Sequence, residues 1–313
     1  AQLTRFSASD VDFDSASARF NIASAQIRLN RFELNLPGAR ATGDAVLTMS
    51  DWQLDTSAPV RITANMRGVN AADLGRLAGL DAPLAGRINA QASVDGSLDT
   101  PRGTLSLDWR DAAIGDERMK LITAKLRTSV SGPLAFDGEA AFDGDVVRVE
   151  GAFDHPKSDW RNGRLSLKAD APRMRLAQFE RLRDAGGKLS GELESKFSAE
   201  VAVAGGKATL ASLGGYASVK AANGKAKPVT ARLEASTTKE TVLLRLAGEA
   251  AGTPFGGETR LRLTQGYPLD GRVALPRIAF RDLQAALGDT TEPWPVQGFL
   301  GGDVTFKGLL SEP

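Results

Sequence analysis

The sequence predicts an all-β protein, an elongated open β-groove in which a U-shaped antiparallel sheet is built from repeats of about 105 residues with three short helices. Three observations predict it. Apolar residues alternate with polar ones along most of the chain, the mark of strands with one apolar face. Glycine paired with Asp or Asn punctuates those strands, as two-residue hairpin turns require. The few helical patterns recur at a fixed spacing, the mark of a repeat architecture.

The alternation runs through Ile27 and Leu29, then Phe32, Leu34 and Leu36, then Val60 and Ile62. It continues through Leu105 and Leu107, Leu165 and Leu167, Leu244 and Leu246, Leu261 and Leu263, and Val273 and Leu275. With uniform register these side chains share one face, and they are the candidate lining of the groove. Turns are expected at Asp95-Gly96, Asp137-Gly138, Asp143-Gly144, Asn162-Gly163, Asn223-Gly224 and Asp270-Gly271. The pairs Gly205-Gly206, Gly214-Gly215 and Gly256-Gly257 read as turns or bulges, because no strand-loop-helix pattern for holding phosphate surrounds them.

Helices are expected at 70–79, 175–183 and 280–287, where the apolar pairs Leu74/Leu77, Phe179/Leu182 and Leu283/Leu287 begin 105 and then 104 residues apart. The preceding strand recurs with the same spacing as Val60-x-Ile62, Leu165-x-Leu167 and Leu269-x-Gly271-x-Val273. After the helix, Pro83, Gly86, Gly96 and Pro101 are matched in internal spacing by Pro295, Gly298, Gly308 and Pro313, while the middle copy keeps only Leu189-Ser190-Gly191. The chain therefore divides into 1–82, 83–188, 189–294 and a truncated 295–313. One meander with one short helix cannot bury its own apolar face, whereas stacked copies extend a continuous lining.

Composition narrows the function. Lys and Arg number 39 against 38 Asp and Glu, so no net field attracts a nucleic-acid backbone. There is no cysteine, and the one histidine, His155 before Pro156, reads as an exposed loop residue without partners for a triad or zinc site. Asp10, Asp12 and Asp14 lack the Gly and terminal Glu of a calcium loop. Neither metal nor cofactor is expected. No carboxylate pair sits in the aromatic-rich setting that sugar hydrolysis calls for, and no enzyme activity is expected. Trp52, Trp109, Trp160 and Trp294 read as structural, Trp52 and Trp160 in matching loop positions. No stretch approaches the roughly 20 apolar residues of a membrane span. The chain starts at Ala1 and stops inside a repeat motif, so it is read as a segment of a longer protein whose anchors lie elsewhere.

The order of short helix, Pro/Leu-x-Gly strand, Gly-x4-Pro, Leu105-x-Leu107 and Gly115 resembles repeats of the AsmA superfamily, TamB-like proteins in particular. The likeness extends over the chain as a pattern and is most specific over 83–115 and 295–313. It implies a taco-shaped β-groove in the periplasm of a double-membraned bacterium. Regions outside this segment would engage the inner membrane, through an N-terminal anchor, and the outer membrane. It further implies phospholipid traffic between the membranes or, for TamB-like members, assembly of outer-membrane β-barrels with an Omp85-type partner.

Strands advance a sheet by ~4.8 Å each, so on the order of 16 to 20 strands would form a trough roughly 75 to 95 Å long. Phospholipid acyl chains are the occupant that fits an apolar lining of that size, with headgroups left in water. Two rival readings remain: a scaffold that lends an edge strand to nascent barrels, and a closed β-helix with a packed, dry core that spaces other domains.

Overall fold

A computed structural model describes residues 2–8, 10–50, 52–55, 57–77, 83–97, 101–128, 133–156, 159, 161–179, 190–222, 228–250, 252–281, 284 and 298–310. The chain is almost wholly strand and divides into two units. The first comprises 1–144 and 150–163, the second 145–149 and 164–313.

The first unit holds β1 (Gln2–Ala8), β2 (Val11–Ala23), β3 (Gln26–Leu36), β4 (Ala39–Ser50), β5 (Gln53–Leu54), β6 (Pro59–Asn70), α1 (Ala71–Leu77), β7 (Leu84–Ser97), β8 (Pro101–Ile114), β9 (Glu117–Thr128) and β10 (Leu134–Ala141). The division falls within β11 (Val146–Asp154). The second unit continues with β12 (Gly163–Arg175), β13 (Ser190–Ala204), β14 (Lys207–Ala222), β15 (Val229–Thr238), β16 (Thr241–Ala250), β17 (Thr253–Arg262), β18 (Pro268–Ala279) and β19 (Phe299–Leu309). From β1 to β4, from β6 to β10 and from β13 to β19 each strand pairs antiparallel with the next. The two-residue β5 folds back on β4, whose main partner is β6. A β-helix, whose coils pair in parallel, is excluded by this register, and the open antiparallel sheet is the fold.

The repeat is written into the ladder as well as the sequence. β6 skips register between Met66 and Val69 against β7, and β18 skips it between Leu275 and Ile278 against β19. Both bulged residues lie 209 positions apart in the two copies. The residue emerging from the bulge is buried each time, Val69 at 2% and Ile278 at 7% exposure, and Met174 at 2% occupies the corresponding place on β12. A bulge bends its strand and re-aims the chain, which here delivers it into the helical segment.

Helix α1 follows because Asn70 caps it, its Oδ1 accepting the Ala72 N–H at 3.0 Å. Asp73 in the first turn pairs with Arg76 in the last, and Gly75 lets the helix close on Leu84, whose Cδ1 lies 3.1 Å from where a Cβ would sit. The second expected helix differs. Among the described residues of 175–183 a 3-10 turn, Leu176–Gln178, forms and Phe179 is extended, while 180–183 lie outside the described residues. Arg175 stands where Asn70 does and supplies no side-chain cap. Its backbone N–H is instead bonded to Asp145. Of the third, Phe280, Arg281 and Gln284 are helical and the rest falls outside the described residues.

Three expected turns are corrected. Asp95-Gly96, Asp137-Gly138 and Asp270-Gly271 lie inside β7, β10 and β18, because the strands run through them and glycine serves cross-strand packing there. Asp143-Gly144 and Gly205-Gly206 are in connections, and Asn162 precedes β12. Asn223-Gly224 lies outside the described residues. Gly256-Gly257 sits in unbroken register, neither turn nor bulge. His155 follows β11 as expected but is half-buried, its ring stacked 5.4 Å from Phe153.

Two clusters of buried side chains stand out among the described residues. Val11, Phe13 and Leu36 gather Phe6, Leu34 and Ala39 in the first unit, with Phe6 and Phe13 stacked at 4.8 Å. Ala235, Val242 and Leu261 gather Phe197, Leu213, Leu244, Leu263, Tyr267 and Leu269 in the second. Among the described residues one ion pair has a buried carboxylate: Asp145, 8% exposed, accepts Arg175 N–H at 2.8 Å and Nε–H at 3.1 Å, while the arginine side chain stays 47% exposed. Burial pushes the Asp145 carboxyl up, but the Arg175 backbone N–H and guanidinium, with the charge of Arg173, hold it below the ordinary carboxylate value.

A folded-state pKa below the unfolded one stabilises above the unfolded value and is lost as pH falls through the folded one. Asp145→Ala should therefore lower stability by about 2 kcal/mol at neutral pH. The difference from wild type should shrink below about pH 4 and vanish in stronger acid. Denaturant melts across that range check it.

Candidate functional site

Directly paired residues of an antiparallel ladder lie on the same face, so the register shows which side chains meet. In the first unit one row runs Phe20, Leu29, Ala45, Ile62, Val94 and Gly103 across β2, β3, β4, β6, β7 and β8. Beside it run Ile22, Ile27, Leu47, Val60 and Gly96. A third row is Phe32, Gly43, Ala64, Ala92, Leu105, Leu126 and Phe136, and a fourth Leu34, Ala41, Met66, Ala90, Leu107, Ala124 and Gly138. No charged residue stands in any of them. The rows between, on the other face, are polar: Arg28, Val46, Arg61, Asp95 and Arg102, then Asp44, Thr63, Ser93, Thr104 and Arg127.

The second unit repeats the arrangement. Ser195, Ala217, Leu233, Leu246, Gly257, Val273 and Val304 form one row from β13 to β19, and Phe197, Gly215, Ala235, Leu244, Thr259, Gly271 and Phe306 the next. A third contains Thr237, Val242, Leu261, Leu269 and Gly308. The opposite face carries Lys196, Tyr216, Glu234, Arg245, Glu258 and Arg272 in register. These charges pair with each other, as Arg260 and Arg232 do with Glu258 and Glu234 at 2.8 Å.

Twelve of the seventeen residues expected to line a groove stand in the rows described, all but Leu36, Leu165, Leu167, Leu263 and Leu275. Leu36, Val60 and Leu261 are buried, Leu105 is 37% exposed, and the other thirteen are half-buried. Each leans on its neighbours in the row without a second layer sealing it from above. Leu165 and Leu167 on β12 follow the same alternation, flanked by exposed Arg164, Ser166 and Lys168. Leu275 pairs with Gly302, and Leu263 bonds through its N–H to Glu240 O at 2.8 Å. The chain exposes 19812 Å2, against about 15,000 Å2 for two separate compact bodies of half its mass. Sheet faces are left open to solvent.

Several aromatic rings on this face lie across glycines instead of standing upright. Phe197 pairs with Gly215, Phe255 with Gly248 and Phe306 with Gly271. A Cβ on Gly248 would fall 2.4 Å from Phe255 Cζ, and one on Gly271 2.5 Å from Phe306 Cζ. Trp109 leans over Gly86 in the same manner and donates Nε1–H to Ala85 O at 2.8 Å. Trp52 is a 64%-exposed turn residue, whereas Trp160 and Trp294 lie outside the described residues. Rings laid flat cover backbone with apolar surface while keeping the floor low.

Among residues that sequence reading passed over, Leu47, Val94, Leu126, Phe136 and Leu233 complete the rows. The alternation around them was diluted by Ala and Gly partners, and only the pairing of adjacent strands brings it out. Among the described residues no cluster has metal-ligand geometry, and no helix is long and apolar enough to cross a membrane.

Gly271→Val should destabilise the second unit by about 1–3 kcal/mol through overpacking against Phe306. A second change, Phe306→Ala, should recover much of that loss. Thermal melts of the double-mutant cycle read the coupling; additive effects would show that the ring does not occupy the glycine's space.

Searches against known protein families, curated proteins and solved structures found no match to this chain.

Proposed function

We propose that the apolar face is a groove carrying phospholipid acyl chains, and that this chain is a periplasmic segment of a bridge-like protein moving lipid between inner and outer membranes. The observation that carries the reading is the set of uncharged rows in continuous register, half-exposed along their length. Such a surface far exceeds the apolar patch of a few hundred Å2 that a monomer normally leaves bare. Moving a lipid of about 30 methylenes through water costs on the order of 20 kcal/mol. A track of half-buried Leu, Ile, Val and Phe removes most of that barrier, while the headgroup stays hydrated and needs no buried counter-charge. Tails would slide along the rows, because neighbouring positions offer nearly equal contact and no deep trap. The resemblance to AsmA-superfamily repeats favours the same reading, and with it a non-enzymatic role.

A second reading is a scaffold for outer-membrane barrel assembly with an Omp85-type partner. Its support is the resemblance to TamB-like repeats, most specific over 83–115 and 295–313; a scaffold of this kind would lend an edge strand to the nascent barrel.

Native mass spectrometry and lipid extraction separate the two. Purified protein should retain phospholipid, and photocrosslinkers at Leu34, Leu167 and Leu263 should capture acyl chains while those at Thr42, Lys168 and Arg262 should not. Leu246→Asp should cut lipid retention about tenfold or more, since one ionised group on the track repels methylenes over its whole neighbourhood. Empty protein, or crosslinks confined to β19 with barrel substrates, would overturn the conduit.

A further inference from the structure

In the second unit, part of the apolar face is covered by the sheet's own hairpin. The ladder between β14 and β15 begins with Gly215 opposite Ala235. Ahead of it β14 still pairs with β13, through Leu213–Ala199, Leu210–Val201 and Ala208–Val203, up to the Gly205-Gly206 turn. These pairs continue the apolar face into a hairpin tip, 199–213, that has left β15 behind. A register shift between Glu200 and Val201 bends it.

Two side chains stand in for the missing ladder. Thr237 Oγ1 accepts the Leu213 N–H and donates to the Leu213 carbonyl, each at 2.8 Å. Farther out, the Leu210 N–H donates to the Tyr267 hydroxyl at 3.1 Å. Tyr267 belongs to the β17–β18 turn. In a flat sheet β14 would run roughly 14 to 19 Å from that turn, beyond the reach of a tyrosine side chain, so the tip arches back over the strands between. It does so on the apolar side, because Leu213 and Tyr267 both pack against Ala235, Val242 and Leu261. Burial records the cover: Val242 and Leu261 are 0% and 8% exposed, whereas Leu246, farther along β16, is half-buried.

The tip is lightly held. Ala202, Ala204, Ala208 and Thr209 are exposed. At its base stand two adjacent glycines, Gly214 and Gly215, the second at φ 139, where the backbone turns with the least steric resistance. Lifting the tip breaks side-chain hydrogen bonds whose backbone groups at once find water, a small net cost. An apolar chain slid beneath it restores the burial that Val242 and Leu261 lose.

We propose that residues 199–213 are a flap, hinged at Gly214-Gly215 and latched by Tyr267, that opens to admit an acyl chain onto the Val242 and Leu261 row and then closes on it. The proposal rests on the acyl-chain groove reading and adds a gate to it. The flap's own Ala199, Val201, Leu210 and Leu213 supply a second wall, so a chain held there is enclosed where elsewhere it lies on an open floor.

The chain has no cysteine, so Ala204→Cys and Lys239→Cys, exposed on the tip and on the β15–β16 turn, accept a pair of spin labels. Pulsed electron paramagnetic resonance should give one short distance for the protein alone and add a longer one with dioleoylphosphatidylglycerol vesicles. Tyr267→Phe keeps the ring and removes the latch; it should speed uptake of a parinaroyl phospholipid about fivefold, the weight of one net hydrogen bond. Gly214→Ala, whose Cβ has Ser198 Oγ at 3.7 Å as its nearest neighbour, should slow uptake by stiffening the hinge. That opposite sign is one a general loss of stability would not produce. Lipid retained at an unmoved distance, or uptake unchanged in either variant, shows a fixed brace and overturns the flap while leaving the groove standing. Protein that retains no lipid overturns the groove, and the gate with it.

Discussion

Everything in this molecule depends on antiparallel register. A strand's side chains alternate with period two, so a slip of one residue would turn a whole apolar set to the other face. From β3 to β9 the ladder keeps Leu34, Ala41, Met66, Ala90, Leu107 and Ala124 opposite one another. The register shifts inside strands at Ser17/Arg19 and Leu29/Phe32 as well as near strand ends at Met66/Val69 and Leu275/Ile278, and the apolar rows cross the strands between these shifts.

An ordinary domain buries its apolar face under a second layer and draws its stability from that burial. Here full burial is limited to small sets of side chains, such as those around Phe13 and Val242 and the strand-end residues Val69, Met174 and Ile278, and cohesion comes largely from main-chain ladders and cross-strand contacts. The low floor follows from the same economy. Phe255 over Gly248 and Phe306 over Gly271 give the face area without height.

The two faces divide the chemistry. Ion pairs such as Arg272 with Asp303 at 2.7 Å and Arg127 with Asp137 at 3.1 Å sit on the polar side, where solvent screens them and they contribute little to stability. Their use is in keeping that face wet and the sheet single-layered.

What the sequence determined by itself was everything that depends on local pattern: strand after strand, the apolar alternation, the helix beginning at Asn70, and the spacing that relates Val60 to Leu165 and Leu269. Those features are local because pleat geometry and capping act over a few residues. What only the tertiary structure decided was how strands meet. Glycine at 96, 138 and 271 reads as a turn in one dimension and proves to be a strand position facing a neighbour. Leu126 and Phe136 join the face only through β9 and β10, and Asp10 and Arg87 share a cleft from 77 positions apart. Cross-strand proximity is set by register summed over several hairpins, and no window along the chain contains it.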